Sequence, residues 1–346
     1  MVTLAPPREL DELDRRIVAA LQVNGRASWR HIAEVLGEPF RTVTRRGLAL
    51  LESSVVRVAG LVTLGPTHVV EIQCEPARLG AIAESLAGDP DATFIYAVTG
   101  PTRLVMEVAA RPGRLAALVL EELPALDGVV QVDASPVMEY FRTVAEWHPG
   151  PITQAEVDEL QEVAPPQSRP SASLALDDVD SALVRLLVAD GRVPMAELCG
   201  AVELSAPAVR RRLNALFEQG NLSVRAIVEP SDIGLPIEAV VWIRTAPNDV
   251  TEVGGLVAAE PGVRYAVMAM GEFQLMVNVT LADLNELRDF VTTSRWAARA
   301  QAMRSSLVVH AYKRGGVRMA GRPSPAQPHP ARPTQPSPSP DQPASF

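Results

Sequence analysis

Residues that commonly announce chemistry are scarce in this chain. Its 346 residues include 2 cysteines, 5 histidines and only 4% aromatics. Cys74 and Cys199 fall in predicted strand and helix interiors, with neither a metal-ligand spacing nor a disulfide framework, and read as small core residues in a reducing compartment. There is no Gly-rich phosphate loop, no G-x-S-x-G elbow and no zinc spacing. No apolar run reaches the roughly 18 residues a membrane-spanning helix needs. The opening residues are short, polar and proline-containing, unlike a signal peptide. These absences imply a cytoplasmic protein without a membrane segment that is not an enzyme and calls for no cofactor or metal. The net charge of −9 argues at first against a nucleic-acid partner. Phosphate contact needs only a local basic face, however, so whole-chain charge does not decide the matter.

What is present is a basic amphipathic stretch at 205–222, SAPAVRRRLNALFEQGNL. Ser205 is placed to cap a helix, and Val209, Leu213 and Leu216 recur at helical spacing. Gly220 stops the helix where a left-handed residue is cheapest. Arg210, Arg211 and Arg212 are consecutive, so at 3.6 residues per turn they fan over roughly 200° and at least one points away from the core. A solvated amphipathic helix would satisfy the same pattern. The sharper reading, a helix that reads DNA, gains weight because the stretch occurs twice.

Residues 10–26, LDELDRRIVAALQVNGR, match 176–192, LDDVDSALVRLLVADGR, at an offset of 166. Carried to Glu52, that offset gives 13 identities in 43 positions, among them Asp14/Asp180, Gly25/Gly191, Arg26/Arg192, Arg45/Arg211 and Arg46/Arg212. This is a duplicated domain. Each copy reads as three helices, about 11–23, 28–36 and 39–52, then 177–189, 194–201 and 205–218, the last two in each copy joined as a helix-turn-helix. A β-rich run follows each, and then a strand, helix, strand, strand, helix, strand order. That order predicts a four-stranded antiparallel sheet with helices on one face, the ferredoxin-like solution. Gly100 and Gly271 mark the turn between the middle strands at an offset of 171, so the duplication continues through this second unit.

The fold class is therefore α+β, two copies of a winged three-helix helix-turn-helix domain followed by a ferredoxin-like βαββαβ domain. The expected units are 8–62, 65–145, 175–230 and 235–314. A Pro-, Ser- and Glu-rich linker fills 146–174, with a helical turn at 153–163. A Pro/Ser/Gln/Ala tail occupies 315–346, whose composition cannot bury enough apolar surface to fold.

Each half resembles a member of the leucine-responsive regulatory protein/AsnC family of bacterial transcriptional regulators. The resemblance rests on Leu176-Asp177-Asp178-Val179-Asp180, Asp190-Gly191-Arg192 and the stretch from Ser205 to Gly220, with Leu10-Asp11-Glu12-Leu13-Asp14 and Asn24-Gly25-Arg26 repeating the opening. It implies that the helical units bind double-stranded DNA, and that the ferredoxin-like units (RAM domains) pair with each other and sense an amino acid or similar effector. It also implies an intramolecular pseudo-dimer that can assemble further with other copies.

The expected DNA contacts are Arg41, Thr42, Thr44, Arg45 and Arg46 on the first reading helix, and Ser205, Arg210, Arg211 and Arg212 on the second. Arg26 and Arg192 are candidate phosphate clamps that could equally pair with acids. The first head departs from the pattern: it has Pro39 in place of the Ser cap, Gly47 in place of Leu213 and Ser54 in place of Gly220. It is expected to be the weaker head. Candidate effector residues lie at the two turns, Gly100, Thr102 and Arg103 in one copy and Met270, Gly271, Glu272 and Gln274 in the other. A carboxylate there suits an ammonium group, and Arg103 suits an acidic one; a plain tight turn explains the glycines equally well. The rival readings are an effector-binding sensor that no longer binds DNA, against which the intact basic face of 205–218 speaks, and a sirohaem decarboxylase built on the same tandem scaffold. Only His68 and His310 fall on RAM strands, read as edge or surface residues, and the aromatic-rich stretch of that group is not found at 98–106 or 268–277.

Overall fold

A computed structural model describes residues 10–63, 65–100, 104–110, 113–165 and 176–319. The first head comprises Glu12–Val23 (α1), Trp29–Leu36 (α2) and Phe40–Glu52 (α3), followed by Val56–Val62 (β1). Then come Thr67–Cys74 (β2), Leu79–Ala87 (α4), Ala92–Val98 (β3), Leu104–Ala109 (β4), Arg114–Ala117 (α5), which runs on as a π-helical turn Leu118–Glu122, and Val129–Arg142 (β5). The linker holds Gln154–Glu162 (α6). The second head comprises Asp178–Ala189 (α7), Met195–Val202 (α8) and Ala206–Glu218 (α9), followed by Leu222–Val228 (β6). The chain then forms Ile237–Arg244 (β7), Val250–Ala258 (α10), Val263–Ala269 (β8), Leu275–Leu281 (β9), Leu284–Thr292 (α11), Ala302–Arg314 (β10) and Val317–Arg318 (β11).

The two sheets do not stand apart. The long strand β5 pairs with β2 through Val129–Pro136 and with β8 through Val137–Arg142, while β10 pairs with β7 through Ala302–Leu307 and with β3 through Val308–Lys313. Each long strand thus crosses from one half of the duplication to the other. The eight strands close into an antiparallel barrel in the order β10-β3-β4-β2-β5-β8-β9-β7, with β7 returning to β10. Closure removes the edges that an open sheet would expose. The registers also define the internal symmetry. Phe94 faces Glu107 between β3 and β4 as Tyr265 faces Asn278 between β8 and β9, an offset of 171 in each strand. Equivalent residues therefore stand on opposite walls of one barrel.

Strand alternation builds two layers. Val70 and Ile72 pack outward under α4, in a core with Ile82, Leu86 and Leu118, and Val241 and Val277 do the same under α10 with Val253 and Val257. The intervening residues face inward, where Val69, Phe94, Tyr96, Val105, Val240, Trp242, Tyr265, Val267 and Met276 fill the barrel.

The heads are joined just as closely. β1 and β6 form an antiparallel ribbon with Ala59 opposite Arg225, so the strand after each head pairs with its counterpart from the other half and makes no wing within its own domain. One hydrophobic core runs through both heads, from Ile17, Ile32, Val43 and Leu50 to Leu183, Leu198, Val209 and Leu216. Val157 and Leu160 of α6 belong to it. A Thr153/Glu156 capping box starts α6, and Glu156 also pairs with Arg16 of α1 at 2.7 Å. The linker thus packs on the first head.

Several local expectations change. Ser205 sits at the start of α9 in extended conformation but accepts no hydrogen bond from the helix, and Pro39 likewise caps α3 without a side-chain bond. The two reading helices therefore begin alike. Gly47 leaves no hole: a Cβ there would lie 2.2 Å from the Trp29 ring, which fills the space. Trp29 stands where the second head has Met195, so a large/small pair in one copy answers a medium/medium pair in the other. Ser54 takes the left-handed φ of +56° that Gly220 takes at +70°, at a modest steric cost for a residue with a Cβ. His68 is buried on the barrel strand β2, between β4 and β5, and not at an edge. Residues 315–319 extend β10 into a hairpin with β11, at the start of the stretch assigned to the tail; 320–346 lie outside the described residues.

Candidate functional site

The reading helices separate their arginines into two groups. Arg46 donates to Asp11 and to Asp14 at 2.9 Å, and Arg212 repeats this with Asp177 at 2.8 Å and Asp180 at 2.9 Å. In each head the aspartate pair also caps the first helix, since Asp11 accepts from the Asp14 amide and Asp177 from the Asp180 amide. These contacts hold Asp11 and Asp177 below the usual carboxylate range, through the amide bond first and the arginine second. Arg46 and Arg212 thus tie the third helix to the start of the first. Arg41, Arg45, Ser205, Arg210 and Arg211 are exposed, and among the described residues none of these arginines has an acidic partner. Thr42 and Thr44 are half-buried, and the Thr44 hydroxyl is enclosed without a partner.

Arg26 and Arg192 form a reciprocal clamp. Arg26 donates to the carbonyls of Gly191 and Val193, the latter at 3.0 Å, and Arg192 donates to those of Gly25 at 2.7 Å and Ala27 at 2.9 Å. Burial lowers the pKa of both. Arg192 also lies over the Trp29 ring, 4.4 Å from its centroid. Two guanidiniums crossing a pseudo-twofold axis to satisfy carbonyls at helix ends fix the heads relative to each other.

The proposed effector turns are less built. Gly100 and Gly271 adopt φ of +92° and +144°, as a tight turn requires. Glu272 pairs with Arg244 at 3.2 Å, Gln274 accepts from the Thr245 amide at 3.2 Å, and Met270 is exposed. Thr102 and Arg103 lie outside the described residues.

A separate cavity of about 580 Å³ opens where the barrel mouth meets the ribbon and the linker. Glu107, Tyr140, Tyr265 and Thr93 line it from the barrel, Arg225 and Ser223 from β6, and His148, Val144 and Val157 from the linker side. Glu107 is buried and accepts from the hydroxyls of Tyr265 and, at 3.3 Å, Tyr140; Tyr140 also bonds Thr67. Burial pushes the Glu107 carboxyl up, against the pull of the Tyr265, Tyr140 and Thr93 hydroxyls, and pushes both tyrosines up as well. His148 is pushed down to about 4 by burial and by the charges of Arg225 and Arg142. Arg225 is buried and lowered to about 9, by burial first and Arg264 second. None of these five was a candidate in the sequence, because no short spacing unites them: Glu107 and Tyr265 are 158 residues apart. The available signal was the mismatch of the two copies, Glu107 against Asn278 and Tyr265 against Phe94.

A family model of the AsnC-type helix-turn-helix domain matches residues 10–50 and 176–217, and one of the Lrp/AsnC ligand binding domain matches 67–144 and 238–317. The chain belongs to the Lrp/AsnC family. An uncharacterised HTH-type transcriptional regulator of Pyrococcus abyssi is 31% identical over 122 residues, covering 35% of this chain and 77% of that protein. One from Pyrococcus furiosus is 31% identical over 133 residues, covering 36% and 90%. The regulator LrpA of Pyrococcus horikoshii is 25% identical over 118 residues, covering 34% and 84%. These archaeal relatives widen the bacterial range that the resemblance suggested.

Over most of its length the chain resembles a different solved structure. The siroheme decarboxylase NirDL, in co-complex with an iron-uroporphyrin III analogue, superposes with a TM-score of 0.58 at 15% identity, covering 89% of this chain and 93% of that one. At this identity the likeness is one of fold. It nevertheless overturns the expectation that the chain is no enzyme, because a tandem chain of this architecture is a decarboxylase. The missing sequence signatures could not exclude that, since a site assembled from both halves leaves no short motif. No helix among the described residues is long and apolar enough to cross a membrane.

Proposed function

We propose that this Lrp/AsnC-family chain binds operator DNA through both heads at once, as an intramolecular pseudo-dimer. The observation that supports this reading best is the reciprocal Arg26/Arg192 clamp together with the shared core. It holds α3 and α9 in a fixed relation while leaving Arg41, Arg45, Arg210 and Arg211 outward. Helices held in this way suit two half-sites, with the exposed arginines on phosphates or guanine edges and Thr42 and Ser205 supplying shorter hydrogen bonds, while the enclosed Thr44 hydroxyl is out of reach of DNA. Arg26, Arg192, Arg46 and Arg212 act in this reading by setting the geometry. The heads differ in sequence, so the half-sites are unequal. The ligand-binding units sense a small-molecule effector, and further copies can associate through the barrel exterior.

A gel shift of the full chain on its own upstream DNA at two salt concentrations tests this. Binding should weaken steeply with salt, because counterions are released as phosphates are neutralised. Absence of binding at low salt, or a perfectly symmetric footprint, would count against it.

A second reading, catalysis on a tetrapyrrole, draws on the likeness to NirDL over most of the chain and on the cavity lined by Glu107, Tyr265, His148 and Arg225. A tetrapyrrole absorbance band in purified protein, or one appearing on titration with siroheme, would favour it over the first.

A further inference from the structure

The cavity lies on one side of the pseudo-twofold axis, between residues of both halves, and the duplication shows what fills the equivalent place on the other side. At the 171-residue offset fixed by the strand registers, Thr67, Thr93 and Thr143 correspond to Glu238, Arg264 and Arg314. At the 166-residue offset of the heads, Thr63 corresponds to Glu229. On the second wall these four long side chains interlock. Arg314 bonds Glu238 at 2.9 Å and Glu229 at 3.3 Å, and Arg264 approaches Glu238 at 3.4 Å. All but Glu229 are below a tenth exposed. On the first wall four threonines stand in their place, and three of them, Thr63, Thr93 and Thr143, line the cavity.

The open side also carries a charge that the protein does not answer. Arg225 is 5% exposed and lines the cavity, and among the described residues its guanidinium has neither an acidic partner nor a side-chain hydrogen bond. Its counterpart on the other copy is Ala59. Beside it, the Nδ1 atom of His148 is enclosed without a partner. A buried cation left unpaired is strongly unfavourable unless something else supplies the anion. The nearby acids do not supply it. Glu107 is held by tyrosine hydroxyls, and Glu146 caps the turn at Thr143 through its backbone N–H at 2.6 Å.

We propose that this cavity binds a small organic monocarboxylate, its carboxylate on Arg225 and His148 and its apolar body against Leu61, Val144 and Val157. A single unpaired guanidinium balances one negative charge, which favours a monocarboxylate over a phosphate dianion or a polycarboxylated tetrapyrrole. A planar guanidinium matches a carboxylate with two parallel hydrogen bonds. The volume is in the range of small-molecule sites. Glu107 and the two tyrosine hydroxyls are left to meet a polar group at the far end of the ligand. The site is distinct from the Gly100 and Gly271 turns and does not depend on DNA binding.

Calorimetry on the full chain without DNA tests the site, using phenylacetate, indole-3-acetate and decanoate with their primary amides as neutral controls. At least one acid should bind saturably at sub-millimolar concentration and more than tenfold tighter than its amide. Arg225→Gln should weaken it at least tenfold. Thr93→Arg, which places on the open side the residue its counterpart Arg264 has, should abolish it while an unchanged unfolding midpoint shows that the fold is intact. Acid and amide binding alike, binding that survives Thr93→Arg, no acid binding at millimolar concentration, or tighter binding of inorganic phosphate or uroporphyrin III would each overturn the assignment.

Discussion

The heads and the barrel mouth have diverged very differently since the duplication. In the heads the same devices recur on both sides: the Asp11/Asp14/Arg46 tie against Asp177/Asp180/Arg212, and the mutual loans of Arg26 and Arg192. At the barrel mouth almost nothing recurs, with Glu107 against Asn278, Arg225 against Ala59 and threonines against an ion network. The heads contact each other across the axis, so a change in one must be answered in the other. The mouth walls face a space, and a space can be filled on one side and left open on the other. Function can specialise where symmetry is not enforced by contact.

The largest effect should come from the filled wall. Arg314→Leu leaves Glu238 buried with the longer contact to Arg264 as its remaining ion pair among the described residues, and breaking a buried pair from one side costs about 3–5 kcal/mol. The matching Thr143→Ser should stay within about 0.5 kcal/mol. Urea unfolding of both variants measures the difference, and equal losses would mean the two walls are energetically alike.

In the heads, Gly47→Leu drives a side chain into the Trp29 ring and should cost about 1–3 kcal/mol by overpacking. Adding Trp29→Met recreates the arrangement of Leu213 and Met195 and should recover most of the loss. A double mutant no better than the single would show that the two positions do not exchange volume.

His148 makes the open side pH-sensitive. Its pKa is near 4 when folded and 6.5 when free, so the unfolded chain binds the extra proton between those values. Stability is therefore unaffected above pH 6.5, falls as pH drops through this window, and reaches its full loss below about 4. The loss is about 2 kcal/mol, allowing for the remaining solvent contact of the ring. His148→Gln should flatten this part of the pH profile; Met319, its counterpart, has nothing to titrate. A profile unchanged by the substitution would place the acid sensitivity elsewhere.

The smallest and most symmetric effect concerns DNA. Arg45→Ala and Arg211→Ala should each weaken binding and reduce the salt slope by about one if they touch phosphate. Arg46→Ala and Arg212→Ala should instead lower stability first, since their partners are aspartates of the same head. Footprinting at graded salt distinguishes a phosphate contact from the loss of discrimination at a single base.

The period of apolar residues and the two offsets already marked the strand and helix order of the barrel units, because local propensity and burial follow the chain, but not the hairpin strand β11, which falls in the stretch assigned to the tail. They also singled out Arg46 and Arg212, though retention in both copies reflected the aspartate pair retained with them. The linker helix was legible in 153–163 because its capping box is local. Trp29 filling the place of a side chain at Gly47 was not, because volume is shared between residues distant in sequence.

The sequence alone determined the duplication, the helix-turn-helix units, the βαββαβ order and the family, all of which reside in periodicity and short motifs. Tertiary structure alone decided that the two sheets close into one barrel, that Arg26 and Arg192 serve the opposite head, and that one wall is packed while the other holds a cavity. The physical reason is that these features depend on which residues meet across a pseudo-twofold axis. Residues such as Glu107 and Tyr265, 158 positions apart, acquire their environment only when the barrel closes.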